Sequence, residues 1–336
     1  MNPRSLPSVH TPPRWEPATL ARCHDLGSDV RLFEVRPDSG ATAPYTPGSH
    51  LPLQLEFDGH PQTRHYSLLE EAGDAGVYRF AVKRLVHSRG GSEHLWQLAP
   101  GDKLTIAGPA NHFPLSFANP EYLLIAGGIG ITPLYGMALA LHRAGKRLRL
   151  IYVSRDSARE HFATALSALG AALEVYPDSA SAAPAIQRAV AALDPAGEAY
   201  ICGPAGLRRH VRALWEAEAR PPWALRYETF ANGGERPEET FEVSVRNLGI
   251  SFEVPPHRSL LESLIDHDIE ALYDCQRGEC GLCAVDVVSH EGSIDHRDVY
   301  FSARQHAADD KLCTCVSRIA GHGRVVIDTR RQGIRD

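Results

Sequence analysis

Three of the seven cysteines crowd into DCQRGECGLC, residues 274–283. Cys275, Cys280 and Cys283 have C-x4-C-x2-C spacing, which with a distant fourth cysteine suits a plant-type [2Fe–2S] cluster. Four thiolates must hold two irons and two sulfides, and glycines in the loop let backbone N–H groups turn toward the sulfurs and disperse their charge. A structural zinc site would more often show paired C-x2-C units, and this stretch has one. Disulfides need an oxidising compartment, whereas the polar, Pro-rich start MNPRSLPSVHTPPRWEP has no apolar leader and reads as a loose tail. A reducing cytoplasmic setting is therefore expected. The fourth ligand is Cys313 or Cys315 in LCTCVSR, and spacing leaves both open.

A second chemistry is written in glycines. AGGIGITPL places Gly127, Gly128 and Gly130 between an apolar run and a helical pattern, with Thr132 and Pro133 in that helix's first turn. The free N–H groups and positive dipole of such a helix start suit a pyrophosphate. ICGPAGL repeats the situation at Cys202, Gly203 and Pro204. In an open α/β sheet both turns fall at the carboxyl ends of strands, where ligands bind, and together they suggest a nicotinamide dinucleotide. Cys202 by itself reads more readily as a small buried hydrophobe.

A third cluster lies in TRHYSL, FAVKR and RGGS, the last being residues 89–92. Arg64, Tyr66 and Ser67 on one strand offer a phosphate partner, a ring face and a hydroxyl. Alone, Arg64 and Ser67 would be ordinary strand residues.

These residues must be held by something. To about residue 115 the chain alternates with period two between Pro/Gly turns (VRLFEVRPDSG, PGSHLPLQLEFDG, VYRFAVKR, DKLTIAGP), which predicts an all-β domain, an antiparallel β-barrel or a sandwich. From 116 to 231 strand and helix patterns alternate, which predicts an α/β domain with a parallel sheet. Its stretch YLLIAGGIGITPLYGMALAL is apolar enough to raise a membrane span, but the central glycines and Pro133 favour strand, turn and helix. After a linker at 232–238, residues 239–336 read as a compact α+β unit built around a loop: a hairpin in FEVSVRNLGISFEV, the helix SLLESLIDH, the cysteine loop and the strands AVDVVSHEG and GRVVIDT. The multidomain division is thus a 1–16 tail, a barrel at 17–115, an α/β domain at 116–231 and this unit.

Net charge is −6, but residues 238–336 hold 18 acids against 11 bases while the preceding chain is nearly balanced. That argues against nucleic acid and suggests docking of the C-terminal unit on a basic patch.

Arg-x-Tyr-Ser in a barrel, then G-G-x-G-x-T-P, C-G-P and a C-terminal plant-type ferredoxin pattern, resemble the ferredoxin–NADP reductase superfamily. Within it, the order resembles the phthalate dioxygenase reductase family, the reductase components of Rieske oxygenases such as vanillate demethylase. The resemblance spans residues 17 to 330 and implies a β-grasp fold for the C-terminal unit and the following roles. Arg64 would pair with the flavin phosphate, Tyr66 pack on the isoalloxazine, and Ser67 bond near N5. His65 stands where relatives carry Thr. The backbone of Ala81, Val82 and Lys83 would meet the polar edge of the ring, and Gly90, Gly91 and Ser92 would hold the phosphate. Glu228 and Phe230 in RYETFA match the acidic and aromatic pair at the nicotinamide end. The cysteine before V-S-R, Cys315, would be the fourth ligand.

The resemblance further implies FMN and NADH, with NADPH as the other donor. In YVSRDSAR, Asp156 could bond ribose hydroxyls, while Arg155 or Arg159 could meet a 2′-phosphate. Hydride transfer would occur among Ser67, Cys202, Glu228 and Phe230. Electrons would then pass NADH → FMN → [2Fe–2S] → a terminal oxygenase of aromatic catabolism, a Rieske-type dioxygenase or demethylase, from a monomer without nucleic acid or membrane partners. The other readings are the same path to a cytochrome P450, diiron oxygenase or other acceptor, and a non-enzymatic ferredoxin-like carrier or sensor.

Overall fold

The computed structural model describes residues 13–57, 60–69, 76–85, 90–170, 172–230, 238–256 and 258–330. The expected linker at 232–238 lies almost wholly outside them, as do Arg89 of RGGS and residues 1–12 of the expected tail. The chain divides into two compact units, the second beginning at Thr229.

The first unit opens with β1 (Trp15–Asp25), β2 (Val30–Pro37), β3 (Ser49–Phe57), β4 (His60–Ser67) and β5 (Tyr78–Lys83). A short helix α1 (Gly91–Gln97) then precedes β6 (Lys103–Ala107) and β7 (Ala110–Asn111). The strands pair antiparallel in the order β4-β3-β6-β1-β2-β5, with β7 on β3. A bridge between Leu68 and Phe80 joins the ends of that order into a barrel. Alternation buries one face of each strand: Leu20, Phe33, Leu51, Leu53, Phe80 and Ile106 are wholly inside, with Phe33 stacked on Phe80 at 5.5 Å. β1 is not evident from the sequence. Pro17 interrupts its alternation, and a bulge between Leu20 and Arg22 shifts its phase.

The α/β layer follows: β8 (Glu121–Gly127), α2 (Ile131–Arg143), β9 (Arg147–Val153), α3 (Arg159–Ser167), β10 (Ala172–Tyr176), α4 (Ser179–Ala192), β11 (Glu198–Cys202), α5 (Ala205–Ala217) and β12 (Leu225–Glu228). All neighbours are parallel in the order β10-β9-β8-β11-β12. Leu123, Ile125, Ile151, Ile186, Val211 and Trp215 fill the space between sheet and helices. The apolar stretch that raised a membrane span is β8, a turn at 128–130 and α2. Among the described residues no helix is long and apolar enough to cross a membrane. Because β8 leads the series and β9 and β11 flank it, the chain reverses direction of travel beside β8. That is where such sheets open a crevice at their carboxyl ends.

The second unit contains β13 (Phe241–Val245), β14 (Ile250–Val254), α6 (Leu260–Asp266), β15 (Ala284–Glu291), β16 (Ile294–Asp295), α7 (Ala303–Ala308), β17 (Lys311–Cys313), β18 (Arg318–Ile319) and β19 (Arg324–Asp328). Its sheet runs β14-β13-β19-β15-β17, with β13 and β19 parallel, beside a small β16–β18 ladder. Val243, Val245, Leu260, Leu264, Val325 and Ile327 form the core under α6. Ser259 and Glu262 close α6 with a capping box, and Ser302 and Gln305 do the same for α7. α7 has six residues, too few to show a helical period, so the capping pair was its one signal.

Candidate functional site

In the second unit, residues 275–283 form an irregular loop between α6 and β15. Cys275, Cys283 and Cys315 are buried and Cys280 is half-buried. The Cys275 sulfur accepts backbone N–H groups from Arg277 at 3.4 Å, Glu279 at 3.3 Å and Cys280 at 3.4 Å. A hydrogen bond from the Cys280 thiol and these three N–H groups outweigh burial and hold the Cys275 thiol down at about 7. Cys280, as the proton-keeping partner, is pushed up. Cys283 is lowered by the thiols of Cys313 and Cys315, which rise in turn.

The loop needs its glycines. Gly278 and Gly281 have φ of +71° and +73°, and a Cβ on Gly281 would lie 2.2 Å from the Tyr300 ring. Behind Gly278 stands Asp298, whose Cα would be 2.8 Å from such a Cβ. Its neighbour Val299 donates its N–H to the Gly278 carbonyl at 2.9 Å. Glu279 is anchored by the N–H of Thr229 at 2.8 Å.

Cys313 and Cys315 share one apolar cluster with Phe301 and Val316, and the thiols of both hydrogen-bond to Cys283. Cys313 lies on β17 opposite Ala284. Cys315 lies past the strand end, 3.2 Å from the Cys283 sulfur, and accepts the Gly278 N–H. Buried sulfurs fed by backbone donors fit thiolate ligation of a cluster.

In the barrel, Arg64, His65, Tyr66 and Ser67 end β4. Tyr66 stacks on Phe80 at 5.2 Å, and burial pushes its phenol above the ordinary range. Ser67 is buried, and its hydroxyl has no hydrogen-bond partner among the described residues. A buried hydroxyl left in that state is costly unless a ligand completes it, which fits a flavin heteroatom. Arg64 donates to the Thr63 carbonyl at 3.0 Å and to the Gln62 side chain. Its stem lies against Gly91, where a Cβ would be 3.1 Å from Nε. Arg64 and the start of α1 thus share one spot, with Gly90 just before the helix and Ser92 accepting the Leu85 N–H at 3.2 Å. Ala81, Val82 and Lys83 close β5. His65 makes an edge contact with buried His50, an imidazole pair on the face of β3 and β4 opposite the core residues Leu51 and Leu53.

The two glycine turns of the α/β layer interlock. A Cβ on Gly130 would be 2.3 Å from the Cys202 carbonyl oxygen, and one on Gly203 would be 2.8 Å from the Gly127 Cα. Pro204 and Leu207 pack on Gly127 in the same way. Thr132 donates its hydroxyl to the Ile129 carbonyl at 3.0 Å and Pro133 sits in the first turn of α2. Cys202 is wholly buried and is the register partner of Glu228, itself buried, at the carboxyl ends of β11 and β12. Ser67 belongs to the barrel of this same unit, whereas half-buried Phe230 belongs to the second.

Two contacts were not visible in the sequence. Asp156 is ion-paired with Lys83, which also lies 3.6 Å from Asp29. Asp29 accepts the Ser157 backbone N–H at 3.2 Å and its hydroxyl, so the β1–β2 turn clasps the loop after β9. No spacing rule connects positions 73 and 128 apart in the chain. Arg155 is turned away to Asp178 at 3.3 Å, and Arg159 donates to the Ser154 carbonyl.

Residues 243–320 match the 2Fe-2S iron-sulfur cluster binding domain and residues 17–114 the oxidoreductase FAD-binding domain. The chain is 31% identical over 321 residues to phthalate dioxygenase reductase of Burkholderia cepacia, covering 92% of this chain and 96% of that one. It is 30% identical over 317 residues to the oxidoreductase NdmD of Pseudomonas putida, covering 92% of this chain but only 52% of that longer protein. The solved structure of phthalate dioxygenase reductase, described as modular for electron transfer from pyridine nucleotides to [2Fe-2S], superposes with a TM-score of 0.76 at 30% identity, covering 94% of this chain and 98% of that one. A barrel fit for a flavin, a paired glycine turn and a cysteine loop fit for a cluster, found in this order, place the chain in the phthalate dioxygenase reductase family of flavin and [2Fe–2S] oxidoreductases, which pass electrons to terminal oxygenases.

Proposed function

We propose that this chain takes hydride from NADH onto FMN and delivers single electrons through its cluster to a Rieske-type oxygenase of aromatic catabolism. The observation that carries the reading is the buried, unpartnered hydroxyl of Ser67 at the end of β4, in the same compact unit as the interlocked glycine turns. When bound, flavin accepts two electrons together and releases them singly, and the cluster carries them one at a time.

The chain's own residues supply alignment. Ser67 offers a hydrogen bond toward N5, Tyr66 gives a ring face, and Arg64 with Gly90, Gly91 and Ser92 receives one phosphate. A single phosphate of this kind suits FMN. Gly127, Gly128, Gly130, Thr132 and Pro133 with Cys202, Gly203 and Pro204 receive the dinucleotide, and Glu228 and Phe230 attend its nicotinamide end. Asp156 has one oxygen paired and the other buried and unpartnered, which suits a ribose hydroxyl and so NADH over NADPH. Cys275, Cys280, Cys283 and Cys315 ligate the cluster. The acidic excess of residues 238–336 suits a basic face on the oxygenase.

The test is anaerobic stopped-flow reduction of the flavin-loaded protein by NADH and by NADPH. Faster and tighter reduction by NADH supports the reading, and a preference for NADPH rejects the Asp156 assignment. Mass spectrometry of the released flavin decides FMN against FAD.

A further inference from the structure

A carboxylate that is nine-tenths buried, with one oxygen paired and the other bare, is an unusual thing for a fold to keep. The Asp156 side chain is 8% exposed, its Oδ1 pairs with the Lys83 ammonium, and its Oδ2 has no partner among the described residues. Leaving such an oxygen unsatisfied carries the full desolvation penalty of the group, which is larger when the group is charged. The bare oxygen is aimed at the glycine turn: a Cβ on Gly128 would stand 3.0 Å from Oδ2.

What fixes this direction is a side chain from the other half of the unit. Lys83 is the last residue of β5, paired with Val30 of β2. Its ammonium reaches both Asp156 and Asp29, the latter at 3.6 Å. Asp29 in turn accepts the backbone N–H of Ser157 at 3.2 Å and donates its own N–H to the Ser157 hydroxyl at 3.2 Å. Gly27 allows this close approach, since a Cβ there would be 2.2 Å from Ser157 Oγ. The loop after β9 is therefore held from the barrel on two consecutive residues, and Ser154 Oγ accepts the Asp156 N–H at 3.0 Å.

We propose that Lys83 is a positioning residue for the hydride donor: its ammonium, shared between Asp29 and Asp156, fixes the Asp156 carboxylate so that its second oxygen meets a ribose hydroxyl of the incoming dinucleotide. This rests on the assignment of Asp156 to the ribose. The lysine also offsets one of two carboxylates that would otherwise stand together beside a turn meant for a diphosphate. Because the same residue ends the strand whose backbone faces the flavin edge, donor seat and acceptor seat are tied through one side chain.

The experiment is anaerobic stopped-flow flavin reduction of the holoprotein, comparing K83M, K83R and D156N over a range of NADH concentrations. K83M raises the Kd for NADH by about tenfold, while the limiting reduction rate stays within about threefold. K83R retains the native Kd within about threefold, and K83M combined with D156N is no weaker than D156N alone, because the two act as one unit. K83Q is measured alongside K83M, so that one neutral variant loads flavin. An unchanged NADH Kd in the flavin-loaded neutral variant, with D156N still weakened, overturns the role of Lys83 and leaves the ribose assignment standing. An unchanged Kd in D156N as well overturns both.

Discussion

Cys313 and Cys315 stand two positions apart and both are buried, yet we propose different work for them. Both thiols reach Cys283 and share one apolar cluster with Phe301, but Cys315 also takes the Gly278 N–H, whereas Cys313 is a residue of β17. Replacing Cys315 with serine should abolish the visible absorption of the cluster. Cys313→Ala should keep it, with a cost of about 1–2 kcal/mol for the packing lost. Retention of the cluster by C315S would reverse the assignment, and iron content together with visible spectra decides it. Ser67 makes a different claim. S67A should lower the limiting rate of flavin reduction by about tenfold through lost alignment while flavin stays bound, and native stopped-flow rates would dismiss the hydroxyl from hydride transfer.

At the scale of elements, the paired turns depend on an absence of side chains. A Cβ on Gly130 meets the Cys202 carbonyl oxygen, which is backbone and has no room to yield. Gly130→Ala should therefore destabilise the α/β layer by about 1–3 kcal/mol and weaken NADH binding, as thermal denaturation and the reduction Kd would register. In the second unit, His296 lies 2.8 Å from Asp309 and 3.8 Å from Asp298, and His306 lies 3.1 Å from Asp298. Burial opposes the charges here, but the contacts prevail. The imidazoles and the Phe301 N–H hold Asp298 far below the carboxylate range, and the two carboxylates raise His296. Asp298 thus contributes fully above its unfolded pKa near 3.9 and loses that contribution as pH falls through its depressed value. His296 contributes fully below about 6.5 and loses its share as pH rises through its raised value. Cluster retention followed by absorbance should decline on the alkaline side, and H296Q should flatten that decline; an unchanged alkaline limb would remove His296 from the account.

The strands, helices and cysteine spacing behind these sites were legible because alternation, helical period and glycine turns are local signals. β1 hid behind Pro17 and a bulge, and α7 behind its shortness. The clasp of Asp29, Lys83, Asp156 and Ser157 joins distant segments, so no window of sequence contains it. Asp156 stands just past the end of β9, and what the sequence withheld was its partner Lys83.

For the whole molecule, three sites follow the chain in the order barrel, α/β layer and cysteine loop, and charge follows the same division. With 18 acids against 11 bases after residue 237, electron delivery to a basic acceptor should slow as salt rises, while flavin reduction by NADH changes less. Equal salt dependence of the two steps would count against docking on the acidic unit. The central claim, a path from dinucleotide through flavin to cluster, is tested most directly by anaerobic titration of the reconstituted protein with NADH under visible spectroscopy. The account predicts that flavin and iron–sulfur bands both bleach. Bleaching of the flavin with cluster bands unresponsive, or no response of either, would contradict it.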